Sequence, residues 1–511
     1  MTAVGSRGGA ALLPIVLGPA LAFTVSVLDP LVLSLNLPHV TRALHVPPQG
    51  VGLLGGAATL VMAASVLAAG RIGDAIGLKR LLMAGLIVVT VVDLLSTLSP
   101  GYGYLLAMRF LDGLGMTALL GVPLALLKVS VAPERRPVAI GLMMAVDVML
   151  CGVTPTFAGW VVAAVGWRFL FLIAPVLCLV SLWLIARYVT ESPVQQGRHL
   201  DVVGVALVGM ILLALVVGLA AAQNGVSRPE TWVPLSISAL AALLFVLHAR
   251  RAPDPVVDLA LFRSAPFSVA LCATLTLNLL IAGLSIVLGQ FGSAVLALSP
   301  ETIGLLYLPG TLLIAGAVIL AGRLVGTCTP RPVMVTGLLI MAAGGLLLAG
   351  TAGPTMAVWL LVVATWSSNL GSVVASTSVS ETVLSQAPEG RSGTVASVQM
   401  AFAVTGTALG PTVYLLLLNV FFHREWLADA KARGLSVARA EQAVDAVRSG
   451  MAHSPGSTVY DPNLLRQASG LNLGLDFAQS LRLTMLVVSV LPVAAAVAAY
   501  LLMPRRRQPR T

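Results

Sequence analysis

Long apolar runs separated by short polar gaps dominate this chain. The run LLMAGLIVVTVVDLLSTL at 81–98 is typical of them, and about 20 apolar residues are enough for a helix to cross a bilayer. Strands of a membrane barrel would instead alternate apolar and polar residues over segments of roughly 10. The pattern therefore predicts an all-α polytopic membrane protein. It contains fourteen candidate transmembrane helices, at about 12–35, 50–70, 80–98, 103–131, 138–164, 168–188, 202–222, 232–249, 267–293, 301–324, 333–350, 355–383, 394–420 and 482–503.

The composition narrows the class of protein. Only 10% of the residues are charged and 58% are hydrophobic, whereas a soluble domain carries about 25% charged residues. This excludes a cytosolic globular enzyme and a disordered chain. The four cysteines have neither metal-ligand nor disulfide spacing, so we interpret them as packing residues. Because no GxxxxGK[ST] loop occurs, ATP is not indicated, and we expect no cofactor and no metal.

The basic residues predict the orientation rather than nucleic-acid binding, because most lie in short gaps between apolar runs. If both termini are cytoplasmic, the short outer loops hold only Arg42, Arg168 and Arg228. The inner segments then hold eighteen: Arg7, Arg71, Lys79, Arg80, Arg135, Arg136, Arg187, Arg198, Arg250, Arg251, Arg263, Arg323, Arg331, Arg391, Arg505, Arg506, Arg507 and Arg510. This asymmetry predicts a plasma-membrane protein with both termini in the cytoplasm. The basic tail at 504–511 is interpreted as a stop-transfer anchor, with lipid-headgroup binding as the alternative.

Two segments allow a second interpretation. The first apolar run contains an Ala-Leu-Ala sequence at 20–22 that is similar to a signal-peptide cleavage site. Apolar sequence continues past it and thirteen spans follow, which favours an uncleaved first helix. Residues 421–481 form a long polar loop that the topology places outside, with helical patterning and a break near Gly434. A folded cap or spacer is the simpler interpretation of this loop, and a role in gating or substrate release is the alternative.

The loop after the second predicted span carries a recognisable motif, GRIGDAIGLKR at 70–80. It resembles the G-x-L-x-D-x-x-G-[RK]-[RK] signature of the major facilitator superfamily. Its glycines allow a tight turn and close helix approach. Its carboxylate is able to accept from a neighbouring helix N-terminus or pair with an arginine, and so to latch the cytoplasmic side. The residues that match this cytoplasmic gate motif are Gly70, Asp74, Gly77, Lys79 and Arg80.

Further motifs resemble the fourteen-helix drug:proton antiporters of this superfamily. RFLDGLG at 109–115 is similar to R-x-x-Q-G-x-G, with Asp112 in place of Gln, and SVLDPLVLSLNLP at 26–38 keeps Asp29 of the first-helix motif. GVTPTFAG at 152–159 resembles the antiporter motif of the fifth helix through Thr154, Pro155 and Gly159. GWRFLFLIAP at 166–175 is similar to the start of the family's sixth helix, and AGRLVGTCTPRP and GTALGP repeat the signatures in the second half.

The resemblance implies the major-facilitator fold, with two six-helix bundles that alternate access to a central site. It divides the chain into an N-terminal bundle at 1–190, two inserted linker helices at 200–250 and a C-terminal bundle at 265–503 that includes the loop 421–481. The basic tail follows at 504–511. A monomer in the lipid bilayer is expected.

Five charged residues lie inside apolar runs, and each costs roughly 2.5–3.5 kcal/mol at a helix centre. They are Asp29, Asp93, Arg109, Asp112 and Asp147. The family fold lines its cavity with the first and fourth helices, so the resemblance places Asp29, Arg109 and Asp112 there. We hypothesise that Asp29 or Asp112 exchanges protons with the outside while Arg109 modulates this exchange. A static Arg–Asp pair is the alternative, and Asp93 is interpreted first as a polar contact between helices.

Candidate substrate contacts are less specific. Asp147 lies in the middle of its span. Its position is equally consistent with a contact to the substrate and with no role in substrate binding. Polar residues on the ninth and twelfth spans either line the cavity or promote helix packing. These are Asn278, Gln290, Ser368, Asn369 and Ser372. An acidic wall facing a neutral one suits amphipathic organic cations.

These features predict a proton-coupled exporter of small lipophilic, cationic drugs or antiseptics, driven by the proton gradient. A dedicated exporter of one lipid, siderophore or antibiotic is the first alternative. A non-transporting receptor or scaffold on the same fold is the second, and the gate motif and the buried acids disfavour it.

Overall fold

The computed structural model describes residues 12–191, 201–222, 229–252, 259–296, 300–327, 329–388, 390–432 and 473–504. Nearly all of these residues are helical, which confirms the predicted all-α class, and each predicted span corresponds to one helix. The helices are α1 (Leu12–Ala43), α2 (Pro48–Ile76), α3 (Leu78–Thr97), α4 (Tyr102–Ser130), α5 (Arg136–Val165), α6 (Ile173–Tyr188), α7 (Val202–Ala222), α8 (Pro229–Ala249), α9 (Ala265–Ala294), α10 (Pro300–Thr327), α11 (Pro330–Thr351), α12 (Val358–Ser385), α13 (Ser392–Ala432) and α14 (Leu473–Leu502).

Length and composition support membrane insertion for most of these helices. In the described residues, twelve segments are long and apolar enough to cross a membrane. Helices α3 and α10 are not among the twelve, and the described apolar stretch of α10 is the shorter Leu312–Val325. The chain is therefore a multi-pass membrane protein, and a count of fourteen membrane crossings stays a prediction.

Two helices continue past their predicted ends. Helix α1 runs to Ala43 because Val40 packs into a small apolar cluster with Leu54, Leu105 and Phe171. Helix α13 runs to Ala432, so the predicted boundary of a loop at 421 is wrong. The buried rings of Phe422 and Trp426 stack one turn apart, with centroids separated by 6.0 Å, and they extend the packed part of this helix. Helix α14 likewise starts earlier than predicted, at Leu473, and residues 433–472 and the basic tail beyond 504 lie outside the described residues.

Glycine and proline set several helix boundaries. Proline occupies the first turn of α2, α5, α9 and α11, where its missing N–H group leaves no hydrogen bond unmade. Gly77 alone separates α2 from α3, with φ +110°, a conformation that a side chain would strain. Gly166, with φ +104°, likewise ends α5 before a short 3₁₀ turn, Trp167–Leu172, that leads into α6.

The helices form two bundles. Most helices of α1–α6 pack mainly on one another, and so do most of α9–α14, whereas α5 and α10 pack most extensively on each other across the two bundles. Helices α7 and α8 pack together, and α7 also contacts α2 and α13, where Thr412 donates a hydrogen bond of 2.9 Å to the carbonyl oxygen of Leu219. Large apolar side chains such as Trp160 and Trp183 are exposed on the outside of the bundles. That exposure suits a surface in contact with lipid.

The bundles approach each other closely at one end, which we call the latch end. It consists of residues 70–74, 121–128 and 137–141 of the first bundle and 318–322, 387–388 and 390–397 of the second. A Cβ atom added at Gly70 would meet the carbonyl oxygen of Gly393 at 2.5 Å. One added at Gly322 of α10 would meet the carbonyl oxygen of Pro137 at 2.6 Å. The Lys128 ammonium also donates to the carbonyl oxygen of Ala387 at 2.9 Å. Backbone is therefore in near contact with backbone where the bundles meet.

Enlarging Gly322 should force the latch end open. A leucine there has no space between α10 and α5, and such overpacking costs about 1–3 kcal/mol. We expect Gly322→Leu to raise, by about tenfold, the thiol labelling of Ser397→Cys, a reporter that is buried at this end in a background without the native cysteines. Gly316→Leu, on the same helix, is the matched control because its Cβ meets nothing within 4 Å. Equal labelling in both variants would contradict the prediction.

Candidate functional site

A buried guanidinium surrounded by three carboxylates lies inside the first bundle. Arg109 on α4 donates to Asp29 of α1 at 2.8 Å and to Asp93 of α3 at 2.5 Å. Its Nη1 atom lies 3.2 Å from Oδ2 of Asp112, one turn further along α4. We call these four residues the ionic cluster. Three helices are therefore joined at a single side chain.

The surroundings of the ionic cluster exclude solvent almost completely. Arg109, Asp93 and Asp112 have no exposed surface, and Asp29 is 5% exposed. The ring of Phe171, in the turn before α6, covers the guanidinium with its centroid 4.9 Å from Cζ. Asp29 is therefore the one carboxylate of the cluster with any accessible surface.

Glycines in the RFLDGLG motif explain why the helices come so close. A Cβ atom at Gly113 would meet the carbonyl oxygen of Ala58 on α2 at 2.5 Å. One at Gly115 would meet the Val89 side chain on α3 at 2.9 Å. The missing side chains let α2 and α3 pack directly on α4, and this brings Asp93 within reach of Arg109.

The cluster contains more negative than positive charge. If all four groups are ionised, their net charge is −2. Within the described residues, Oδ2 of Asp93 and both oxygens of Asp112 lack a hydrogen-bond partner. Since a buried carboxylate is costly unless it is paired or neutralised, the arrangement favours exchange of a positive species. Chemically it is able to bind and release protons.

The predicted proton-coupling residues Asp29, Arg109 and Asp112 do meet in the structure. Asp93, interpreted first as a polar contact between helices, does join α3 to α4 through Arg109, and this contact makes it part of the ionic cluster. Its position in the chain carried a usable signal, because a short turn at 98–101 joins α3 to α4. Residues a few positions before and after such a turn lie at similar depth, so Asp93 and Arg109 lie side by side.

A second polar site joins the two bundles at the latch end. Asp74 of α2 accepts from the backbone N–H groups of Gly393 and Thr394, both at 2.8 Å, and from the Thr394 hydroxyl at 2.7 Å. These residues form the first turn of α13, where free N–H groups and the helix dipole favour an anion. The helix N-terminus expected for this carboxylate thus belongs to the other bundle.

Lys79 and Arg80 of the gate motif hold the first bundle together. The ammonium of Lys79 donates to the carbonyl oxygens of Ala186 and Val189 at the end of α6, at 3.2 and 2.6 Å. Glu191 accepts from the Lys79 backbone N–H at 3.0 Å and lies 3.6 Å from Arg80. A cation at a helix C-terminus is favourable, so this loop fixes α3 against α6.

The predicted site residues of α5 lie on the part of this helix that packs on α1. Asp147 is half-buried, and its Oδ1 lies 3.5 Å from Sγ of Cys151 on the next turn. Thr154 is buried, and the adjacent Ala158 packs with α1 through Leu28. The antiporter-type motif therefore lies in the α1–α5 contact. At Pro155 and Gly159 the backbone is helical, and nothing more is described there.

The polar residues of the second bundle divide between packing and partly open positions. The hydroxyl of Ser368 donates to Ala364 of its own helix, and Gly344 of α11 packs closely against it. Asn278 and Asn369 bond to carbonyl oxygens of their own helices, although both stay half-exposed, as does Ser372. For Gln290 only the helical backbone is described. Packing is therefore the better interpretation of Ser368, and a lining role stays open for the others.

Two helical bundles that close on each other at one end, with an ionic cluster buried inside one of them, define a transporter rather than an enzyme. A family model described as Major Facilitator Superfamily matches residues 19–411. The chain belongs to the major facilitator superfamily.

Two curated relatives are named for drug resistance, and one of these names also mentions export. The chain is 27% identical over 388 residues to the multidrug resistance protein Stp of Mycobacterium tuberculosis, covering 75% of this chain and 71% of that protein. It is 26% identical over 417 residues to the tetracenomycin C resistance and export protein of Streptomyces glaucescens, covering 79% and 76%.

A solved structure agrees in fold. The human organic anion transporter MFSD10 superposes with a TM-score of 0.59 at 15% identity, covering 96% of this chain and 98% of that one. At this identity the likeness concerns the fold alone.

Proposed function

We propose that this protein exports small lipophilic, cationic compounds across the plasma membrane in exchange for protons. The observation that carries the proposal is the ionic cluster, since three buried carboxylates around one guanidinium form a site that changes charge when protons bind. The relatives' names support export of drugs by proteins of this kind. Because carboxylates bind and release protons, the ionic cluster would allow the proton gradient to supply the energy for export.

The excess of basic residues in the loops at the latch end supports a cytoplasmic position for this end. By a rise of 1.5 Å per residue, Asp29 lies about 25 Å from the start of α1 and Arg109 about 10 Å from the start of α4. The cluster then lies in the outer half of the membrane. With the latch end closed on the cytoplasmic side, protons would reach Asp29 from outside. This arrangement corresponds to an outward-facing state. Protons entering there would favour release of the substrate, and breaking the latch would turn the site inward.

The half-buried Asp147 on α5 supplies the negative charge for an organic cation, and the second bundle offers neutral partners such as Asn369. A transporter dedicated to one antibiotic is the second candidate, because a relative in Streptomyces glaucescens is named for a single compound, tetracenomycin C. Expressing cells challenged with cationic dyes, biocides and neutral lipophiles separate the two. Protection against one chemical scaffold alone would favour the dedicated exporter.

Removing either proton-coupling carboxylate should uncouple transport. We expect Asp29→Asn and Asp112→Asn each to lower the pH-driven uptake of ethidium, a fluorescent cation, into inside-out vesicles at least tenfold. An amide accepts a hydrogen bond from Arg109 and does not take up a proton. Glu230→Gln, in the first turn of α8, is the control that should keep wild-type uptake. Unimpaired coupling in both Asp29→Asn and Asp112→Asn would refute the proposed mechanism.

A further inference from the structure

The number of carboxylates in the ionic cluster exceeds what one arginine neutralises. Asp29, Asp93 and Asp112 each offer an oxygen within 4.8 Å of the others. Among the described residues, Arg109 is the cation that forms an ion pair with each of the three carboxylates. Cys178 on α6 is a buried side chain near these carboxylates, and a cysteine adds no positive charge. Two positive charges are therefore missing from a cluster that solvent hardly reaches.

The unpartnered oxygens show where those charges belong. Arg109 donates to Asp29 and to one oxygen of Asp93, which leaves Oδ2 of Asp93 and both oxygens of Asp112 without a hydrogen bond in the described residues. Oδ2 of Asp112 has only the 3.2 Å ion-pair contact with Nη1 of Arg109. A hydroxyl on Asp93 and another on Asp112 would convert these orphaned acceptors into neutral carboxylic acids. Asp29 and Arg109 then remain as one ion pair without net charge. The exposed part of the Asp29 carboxylate is where protons from water reach the cluster.

We propose that the ionic cluster carries two protons per transport cycle and that Asp93 on α3 is the second proton carrier beside Asp112. This rests on the proposed proton coupling and deepens it. On the outer side, two protons leave hydronium ions, and one O–H bond forms on each of Asp93 and Asp112. The cluster's charge rises from −2 to zero. On the inner side the two bonds break and the protons return to water, while Asp29 relays them and stays paired with Arg109.

The stoichiometry is measurable from the balance of two gradients. In vesicles with the membrane potential clamped at zero, ethidium flux stops when its concentration ratio equals the proton ratio raised to the number of exchanged protons. A logarithmic plot of the balancing ethidium gradient against the pH gradient should have a slope of two for the wild type. Asp93→Asn should give a slope of one, and Asp93→Glu, which restores a carboxyl, should give two.

Thr90→Val is the matched control on α3. Its hydroxyl donates to the carbonyl oxygen of Leu86, one turn earlier on the same helix, so Thr90→Val should keep the slope of two. A slope of two in Asp93→Asn overturns the assignment of Asp93, and a slope of one in the wild type overturns the two-proton site. Flux driven by a sodium gradient at fixed pH overturns the choice of protons as the bound species. A wild type without any cation-coupled flux refutes the proposed function itself.

A second measurement does not depend on transport. Infrared spectra of the purified protein at neutral pH report the C=O stretch of protonated carboxylic acids and its shift in heavy water. The wild-type spectrum should contain a band that Asp93→Asn removes and Thr90→Val retains. Since asparagine has the shape of the neutral acid, Asp93→Asn should also keep nearly the wild-type melting temperature. An unchanged carboxylic-acid band in Asp93→Asn would overturn the proposal even if no substrate were transported.

Discussion

Replacing Arg109 by glutamine should abolish proton-coupled transport and strongly destabilise the first bundle. Breaking a buried ion pair by removing one partner typically costs 3–5 kcal/mol, because the other partner is left buried and unpaired. Here Asp29 is left as a buried carboxylate without a counter-ion, and the carboxyl groups of Asp93 and Asp112 lose the cation that they share with it. We expect a fall in the melting temperature of the purified protein of many degrees and a complete loss of pH-driven ethidium uptake.

The chemistry of the cluster also predicts what restores Arg109→Gln. Acidification neutralises Asp29, so the melting temperature of the variant should approach that of the wild type as pH falls. Adding Asp29→Asn should restore part of the stability at neutral pH, because it removes the carboxylate that has lost its counter-ion. Such coupling is expected of residues in one network. Arg168→Gln is a suitable control, since Arg168 also lies over an aromatic ring but is exposed.

Arg109→Lys separates charge from geometry. Lysine keeps the positive charge but replaces the planar fork of the guanidinium with a single point of contact. Because Arg109 uses two different nitrogens for Asp29 and Asp93, we expect partial recovery of stability and little recovery of transport. Full stability in Arg109→Gln would contradict the prediction, because it would show that Asp29 does not depend on Arg109 as its counter-ion.

The pattern of the chain predicted contacts within one helix or one motif better than contacts between helices. Arg109 and Asp112 are three positions apart on α4, so helical geometry alone brings them together. The contact of Asp74 with a helix N-terminus followed from the motif, although the sequence did not show which helix. The role of Asp93 required the rotation of α3 about its axis, and the glycines of α4 set that rotation by close packing.

The second bundle shows the same limit. The sequence of α12 is rich in small polar residues on all sides, so no face is distinguished by polarity. Ser368 lies in the packed interface because Gly344 on α11 leaves room for it, and that pairing is a property of two helices together. Helix α13 exceeded its predicted length for a related reason. Hydropathy ends near 420, whereas the stacked rings of Phe422 and Trp426 continue the packing.

The latch should be the most sensitive point outside the cluster. Asp74 accepts three hydrogen bonds from the first turn of α13, and a hydrogen bond to a charged group contributes about 1.5–3 kcal/mol. In Asp74→Ala we expect the loss of about 3–5 kcal/mol from the closed latch, even if the bonds are far from additive. Since 1.4 kcal/mol corresponds to a factor of ten, the population of the closed state should fall at least a hundredfold.

The Ser397→Cys reporter measures this shift directly. Asp74→Ala should make its labelling by a thiol reagent applied at the latch end approach that of a fully exposed cysteine, and drug export should fall with it. Asp74→Asn keeps one acceptor oxygen and should shift labelling less. Glu191→Gln weakens the contacts of residue 191 with Lys79 and Arg80, which lie within the first bundle. It should therefore leave the reporter protected. If Asp74→Ala stayed protected, the glycine contacts at Gly70 and Gly322 would hold the bundles together without the carboxylate. The gate would then depend on backbone packing, and Gly322→Leu would be the variant that opens it.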